Sequence, residues 1–481
     1  MRRTWSSGIV LTMVAAMVLA TATSAGAESP DKTRSAIKHT IVLYQENISF
    51  DHYFGTYGHG SSGIPGGSTL FHTNATQTYG PYSPTQLGSS QFRTCDVDHN
   101  YSDMIKMVNH GAMDQFLQFG NNKTVGPSST CPTFEAASAG APPGTGLTAL
   151  ANAYYTGTAG DPNAPLQNYW KLASQYTLAD NFFQGVYGPS TPGAQWLVAA
   201  TNNTSGDPNP IGDKCTSDYT PTINPQNIPN LGAEATAEGT SWAWFQGGYG
   251  LCTTTAVNGY SAHHDPFQYF TSTADPMHAY AYDPRMDDRQ ANRHQRDLDV
   301  LYAALAGKPV TGQTIVPQLP SISWVKAPQL EDGHPGYSGP ALEDAFVGDL
   351  VAKLQASPYW KDTALFITFD ETGGWWDHVA PPALRGHFAP WVNGSPNLTG
   401  CQYPGVPGML CGEAGLGPRM PALIISPFAR QGFIDHDLLN TASLDKWVEW
   451  NHRLPALGVW GNRDTKAGTL KDAFVFGHAD S

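Results

Sequence analysis

The chain has 481 residues, 40% apolar and only 14% charged, with a formal net charge of −14. Disorder needs low hydrophobicity with high charge, so that class is excluded; 50 glycines and 37 prolines fall short of collagen-like or low-complexity compositions. An acidic chain without a Lys/Arg-rich tract repels polyphosphate backbones, which argues against nucleic acid as a partner.

The first element in chain order is a signal peptide over residues 1–27. Arg2 and Arg3 open it, an apolar run follows from Gly8 to Ala22, and Ala25-Gly26-Ala27 forms a small-residue cleavage site. The run is too short for a comfortable membrane span, and no later stretch is long and apolar enough for one. Cleavage removes two arginines and no acid, leaving a chain of net charge −16, expected to be secreted or periplasmic. All six cysteines lie beyond the cleavage site, which suits an oxidising compartment. They permit fifteen pairings, of which the sequential one (Cys95–Cys131, Cys215–Cys252, Cys401–Cys411) is the simplest. No CxxC spacing occurs, which removes thiolate zinc and thioredoxin-like chemistry.

Three short runs, apolar on both faces, read as interior strands of a mostly parallel sheet: His39–Gln45, Ala364–Phe369 and Pro421–Ser426. Helical patterns lie over Pro165–Tyr176, Gly339–Ala356 and Ala442–Asn451. Alternating strands and helices predict an α/β fold, a central sheet sandwiched by helices. Long Gly/Pro/Ser/Asn stretches (57–88, 120–146 and 201–229) read as loop insertions in a single catalytic domain over residues 28–481.

Two of the strands run into acids. The first leads into Glu46-Asn47 and the second into Asp370-Glu371. Ligands of open α/β sheets bind at the carboxyl ends of strands, and carboxylates with an amide make an oxygen cage suited to a hard divalent ion. The plainer alternative is that Glu46 and Asp370 cap following helices. Ser190 stands in a Gly- and Pro-framed turn, Gly188-Pro189-Ser190-Thr191-Pro192-Gly193. No G-x-S-x-G elbow occurs in this turn; a metal could activate the hydroxyl, and the plainer alternative is an ordinary Ser/Pro turn. Histidines in polar settings include His99, His263, His264, His334 and His378, any of which suits acid–base work or phosphoryl binding.

These residues carry a resemblance. The segment Gln45 to Gly55, then Gly188-Pro189-Ser190, His264-Asp265-Pro266-Phe267, His334-Pro335, Phe366 to Pro382, Pro418 to Phe428 and Val448 to Asn451 resemble, in order, the bacterial phosphoesterase family. That family contains phospholipases C and a group of acid phosphatases and is similar in fold to alkaline phosphatases. The resemblance implies an alkaline-phosphatase-like sheet with a divalent metal ion at Glu46, Asn47, Ser190, Asp370 and Glu371. It implies Ser190 as nucleophile, His264 and His334 gripping the phosphoryl oxygens with help from His99, and a phosphate-ester substrate, either soluble monoester or phospholipid headgroup. His263 and His378 are the weaker candidates. Where the family usually carries Asn three residues after the nucleophile, this chain has Gly193. The chain ends soon after Trp450, as in short members such as the acid phosphatases, while Trp375-Trp376 offers a surface for lipid. A binding protein that keeps the fold without catalysis is the alternative.

Overall fold

The computed structural model describes residues 33–73, 78–88, 94, 96–120, 151–200, 229–250, 259–275, 294–382, 391–392, 395–396, 416–458 and 466–476. The signal-peptide segment and all six cysteines lie outside the described residues.

A nine-stranded sheet carries the fold. Its strands are β1 (His39–Gln45), β2 (Thr177–Phe183), β3 (Trp242–Gln246), β4 (Gln295–Asp297), β5 (Ile322–Lys326), β6 (Thr363–Phe369), β7 (Arg419–Ile425), β8 (Phe433–Asp435) and β9 (Leu439–Asn440). The order across the sheet is β8-β2-β7-β6-β1-β5-β3-β4, with β9 also on β2. β1 lies parallel between β6 and β5. All six positions of β1 after His39 are buried, as are all seven of β6, the pattern of central strands covered on both faces.

One strand departs from expectation. β7 is interior and apolar, as read from the sequence, yet it runs antiparallel to both β6 and β2. Composition reports that a strand is buried and carries no mark of its direction.

Helices cover the two faces. They include α1 (Phe50–Phe54), α2 (Tyr101–Val108), α3 (Gln167–Gln175), α4 (Ser190–Ala199), α5 (Leu298–Ala306), α6 (Pro340–Ala356) and α7 (Thr441–His452). α6 packs against α3 and α5, whereas α7 packs against α4. Two rings of β6 fix the sides. Phe366 meets Trp447 of α7, with ring centres 5.5 Å apart, and Phe369 meets Tyr169 of α3 at 6.2 Å. Positions three apart on a strand point to opposite faces, so the sheet is sandwiched. Among the described residues, no helix is long and apolar enough to cross a membrane.

Candidate active site

The parallel register of β1 and β6 sets Gln45 opposite Phe369, so the next residues of the two strands, Glu46 and Asp370, emerge side by side. The backbone crosses between them: Asp370 N–H donates to the Gln45 carbonyl (3.1 Å) and Ile48 N–H to the Glu371 carbonyl (3.0 Å). Asn47 takes a left-handed backbone, φ 62°, a conformation that Asn tolerates better than most side chains. The twist aims its N–H at Asp370 Oδ1 (2.9 Å). Gly373, at φ 64°, lies so close that a Cβ there would stand 2.5 Å from the Asn47 carbonyl oxygen. Helix capping does not explain these acids. Ser49 caps α1, and Asp370 leads into a turn through Gly373 and Gly374.

Ser190 is the first residue of α4 rather than part of a free turn. Pro189 precedes the helix and Pro192 lies within its first turn, where a missing N–H costs no helical hydrogen bond. Ser190 Oγ donates to Glu46 Oε2 (2.9 Å). The neighbouring hydroxyl is directed elsewhere, with Thr191 Oγ1 3.3 Å from the Tyr269 hydroxyl.

Glu46, Asn47, Asp370 and Glu371 are all buried. One terminus of the Asn47 amide stands 2.8 Å from Glu371 Oε1 and 3.2 Å from Glu46 Oε2; the other is 3.2 Å from His334 Nε2. Without a cation, the amide is best placed with its NH2 toward the two carboxylates. With a cation among the carboxylates, the reverse orientation adds an oxygen to the cage. Asp370 Oδ2 is buried without a hydrogen-bond partner. An orphaned carboxylate oxygen among converging carboxylates is what a hard divalent ion would satisfy, and in this respect the residues fit the implied metal.

Burial raises the pKa of every one of these acids. Asp370 is pushed up to about 7, by burial first and by the Glu46 carboxylate second. Burial lifts Glu371 well above the ordinary range, with His99 opposing. Glu46 is also raised by burial, against the pull of Lys326. So many crowded carboxyls cannot all ionise without added positive charge.

Histidines approach from two sides. His99 Nδ1 lies 2.7 Å from the Val97 carbonyl and His334 Nδ1 2.6 Å from the Pro335 carbonyl. A carbonyl only accepts, so both rings carry hydrogen on Nδ1 and turn Nε2 inward. His99 Nε2 stands 3.9 Å from Glu371 Oε1. Burial pulls the His99 pKa down, but Asp96 and Glu371 outweigh it and raise it to about 10. His334 is lowered by burial. His264 Nδ1 lies 3.1 Å from Glu46 Oε1, and burial holds its pKa well below 6.5. His263 packs its ring against His264, 3.9 Å between centres.

Two sequence expectations are corrected. His378 turns Nδ1 to Asp51 Oδ2 (2.7 Å), within a separate buried net. There Arg419 donates from Nε to both oxygens of Asp377 (3.1 and 3.2 Å) and from a terminal nitrogen to Asp51 Oδ1 (3.1 Å). Asp51, Asp377 and His378 are spaced for a metal, but the guanidinium already balances them. Nor can Trp375 and Trp376 hold lipid, because both are buried: Trp375 stacks on His52 at 3.8 Å and Trp376 Nε1 donates to the Met113 carbonyl.

Sequence reasoning missed Lys326 and Asp332, both fully buried beside Glu46. Lys326 Nζ is bonded to Glu46 Oε1, and the Asp332 carbonyl accepts from Glu46 N–H (2.9 Å). The signal was present: Ile322-Ser-Trp-Val-Lys326 is another apolar run that closes on a charge.

A model of the phosphoesterase family matches residues 37–455. The chain belongs to the phosphoesterase family. Relatives include a non-hemolytic phospholipase C from Pseudomonas aeruginosa, 24% identical across 99% of this chain and 63% of its own length. The non-hemolytic phospholipase C of Burkholderia pseudomallei is 26% identical over 92% of this chain and 60% of its own. Phospholipase C B of Mycobacterium tuberculosis is 26% identical over 92% and 78%. This phosphoesterase thus spans about three fifths of the length of the first two relatives and more of the third. Among solved structures, a Vibrio parahaemolyticus protein of the alkaline phosphatase superfamily aligns with 65% of this chain and 66% of its own at 14% identity, TM-score 0.33. Murine ectonucleotide pyrophosphatase/phosphodiesterase 5 aligns with 63% of this chain and 95% of its own at 10% identity, TM-score 0.33.

Proposed function

We propose that the protein is a metal-dependent phosphoester hydrolase in which Ser190 is the nucleophile. The observation that carries this reading is the hydrogen bond from Ser190 Oγ to Glu46 Oε2, made beside the unpartnered Asp370 Oδ2. Glu46, Asn47, Asp370, Glu371 and Ser190 would hold a divalent ion, which when bound supplies Lewis-acid stabilisation of negative charge.

The chain's own groups do the rest. Ser190 Oγ, with Glu46 Oε2 accepting its hydrogen, attacks phosphorus in line, and the ester oxygen leaves as an alcohol, receiving that proton from Glu46 through water. The product is a phosphoserine, which water cleaves to release phosphate or a phosphorylated headgroup. His99, protonated at neutral pH by its raised pKa, offers Nε2–H to a phosphoryl oxygen; His334 flanks the same space beside the Asn47 amide, while His264 stands on the Oε1 side of Glu46. Ser190 also begins a ten-residue helix, whose positive end favours an anion.

The relatives' names favour a phospholipid diester as substrate over the soluble monoesters of acid phosphatases. The basic start and apolar run of residues 1–27 support export of a single catalytic domain beginning near Glu28.

Purified protein, loaded with a divalent ion, is to be incubated with a chromogenic phosphate monoester and with phosphatidylcholine. Headgroup release from the lipid supports the phospholipase reading, monoester turnover alone the phosphatase, and neither the binding-protein alternative. Ser190→Ala should lower turnover about 10²–10⁴-fold, a loss of ~3–5 kcal/mol, whereas Thr191→Ala should cost far less. Acid-quenched enzyme should carry phosphate on the Ser190 peptide; phosphate on Thr191 would sink the assignment.

A further inference from the structure

Three adjacent strands end at this site, and the third brings a positive charge. Lys326 closes β5, with its ammonium fully buried against Glu46 Oε1 and lying over the Tyr44 ring, 4.5 Å from its centre. Glu46 is therefore divided between two tasks. Oε2 faces Ser190, and Oε1 faces away from it, toward Lys326 and His264.

The Lys326 side of Glu46 has the make-up of a metal corner in its own right. Glu46, His264 and Asp332 each present one ligand atom, all within 4.8 Å of one another. His264 Nδ1 stands 3.1 Å from Glu46 Oε1 but out of line for a hydrogen bond. Two carboxylates and an imidazole form a donor set that divalent ions accept readily. A lysine ammonium is a compact point charge with three donors, and in this corner it already meets the carboxylate.

We propose that Lys326 acts as a built-in second cation, filling the Glu46–His264–Asp332 corner and limiting the centre to one exchangeable divalent ion. The inference rests on the metal centre set out under Proposed function. Lys326 is then a positioning residue. It fixes Glu46 Oε1, leaves Oε2 to Ser190, and neutralises one carboxylate without an ion that could be lost. Replacing it by a shorter neutral side chain removes the charge and vacates the corner together. A buried carboxylate deprived of its partner must be neutralised, by a proton or by another cation, and the vacated corner has the ligands for a divalent ion.

The test is a Mn2+ titration of the chelator-stripped full-length protein, read by elemental analysis and electron paramagnetic resonance. Wild type should bind one Mn2+ per chain with an uncoupled spectrum. Lys326→Ala should bind two, with the exchange coupling of ions bridged by Glu46, and Lys326→Ala with His264→Ala should return to one. Lys326→Met fills the volume without charge; it should keep one ion but bind it at least tenfold tighter, which tests the idea even if the alanine variant fails to fold. Two ions on wild type would overturn the proposal. So would a folded Lys326→Ala with one ion, or Lys326→Met with unchanged affinity. Zero ions on wild type is a separate result, which overturns the metal centre and this inference with it.

Discussion

Gly193 shows how closely the helix that begins at Ser190 approaches the sheet. A Cβ at this position would stand 2.2 Å from the Asp370 carbonyl oxygen, a separation that backbone atoms can relieve only by moving apart. The Asn usual at this place in the family therefore has no room here. Gly193→Ala should push the first turn of α4 off the end of β6 and lengthen the 2.9 Å bond from Ser190 to Glu46. We expect a loss of about 1–3 kcal/mol, typical of overpacking, visible as a lower urea midpoint. Turnover should fall further than stability alone accounts for.

Among the elements, β7 has the most unusual place, antiparallel between two strands that otherwise belong to a parallel sheet. Its first residue, Arg419, is buried and ties it to α1 through Asp51, to the segment after β6 through Asp377, and to β2 through the Asp180 carbonyl (2.8 Å). The guanidinium also lies 4.2 Å over the Phe50 ring. Arg419→Met would leave two buried carboxyls without their counter-charge. Breaking a buried pair in this way costs about 3–5 kcal/mol, which chemical denaturation should detect while the carboxylates at Glu46 and Asp370 stay in place. The elements differ in how plainly the sequence announces them. β1 and β6 are unbroken apolar runs and were legible to within a residue, as were α6 and α7, and α3 to within two. β2 was not, because Asp180 and Asn181 interrupt Thr-Leu-Ala-Asp-Asn-Phe-Phe; β5 hid behind Ser323 and Lys326. Half-polar strands are recognisable only once their neighbours are known.

For the whole molecule, the concentration of buried acids links metal, pH and stability. Glu46, Asp370 and Glu371 all have raised pKa values, Asp370 at about 7. A raised carboxyl favours the folded state below its unfolded pKa, and that advantage is lost as pH rises through the folded value. An entering cation must displace those protons at low pH and meets ready carboxylates at high pH. The rise in melting temperature on adding a divalent ion should therefore be small at pH 5 and grow through pH 7. A rise independent of pH would show that the ion binds elsewhere. At this scale the sequence showed which strand ends carry the acids, since Glu46 and Asp370 each follow an apolar run. It did not show Lys326 or Asp332 as their neighbours, because that adjacency comes from the order β6-β1-β5, set by long-range pairing.

The same pairing has a consequence for when the centre can exist. Asn47 and Asp370 are 323 residues apart in the chain, and β1 finds its partner β6 only after most of the protein has been made. At about 5–20 residues per second of synthesis, Glu46 and Asn47 wait roughly 16–65 s before Asp370 and Glu371 leave the ribosome. During that interval the proposed cage is incomplete. For the metal centre proposed above, loading would thus be a late event in the life of each molecule, and the compartment in which the chain finishes folding, rather than the one in which it is synthesised, would decide which metal it receives.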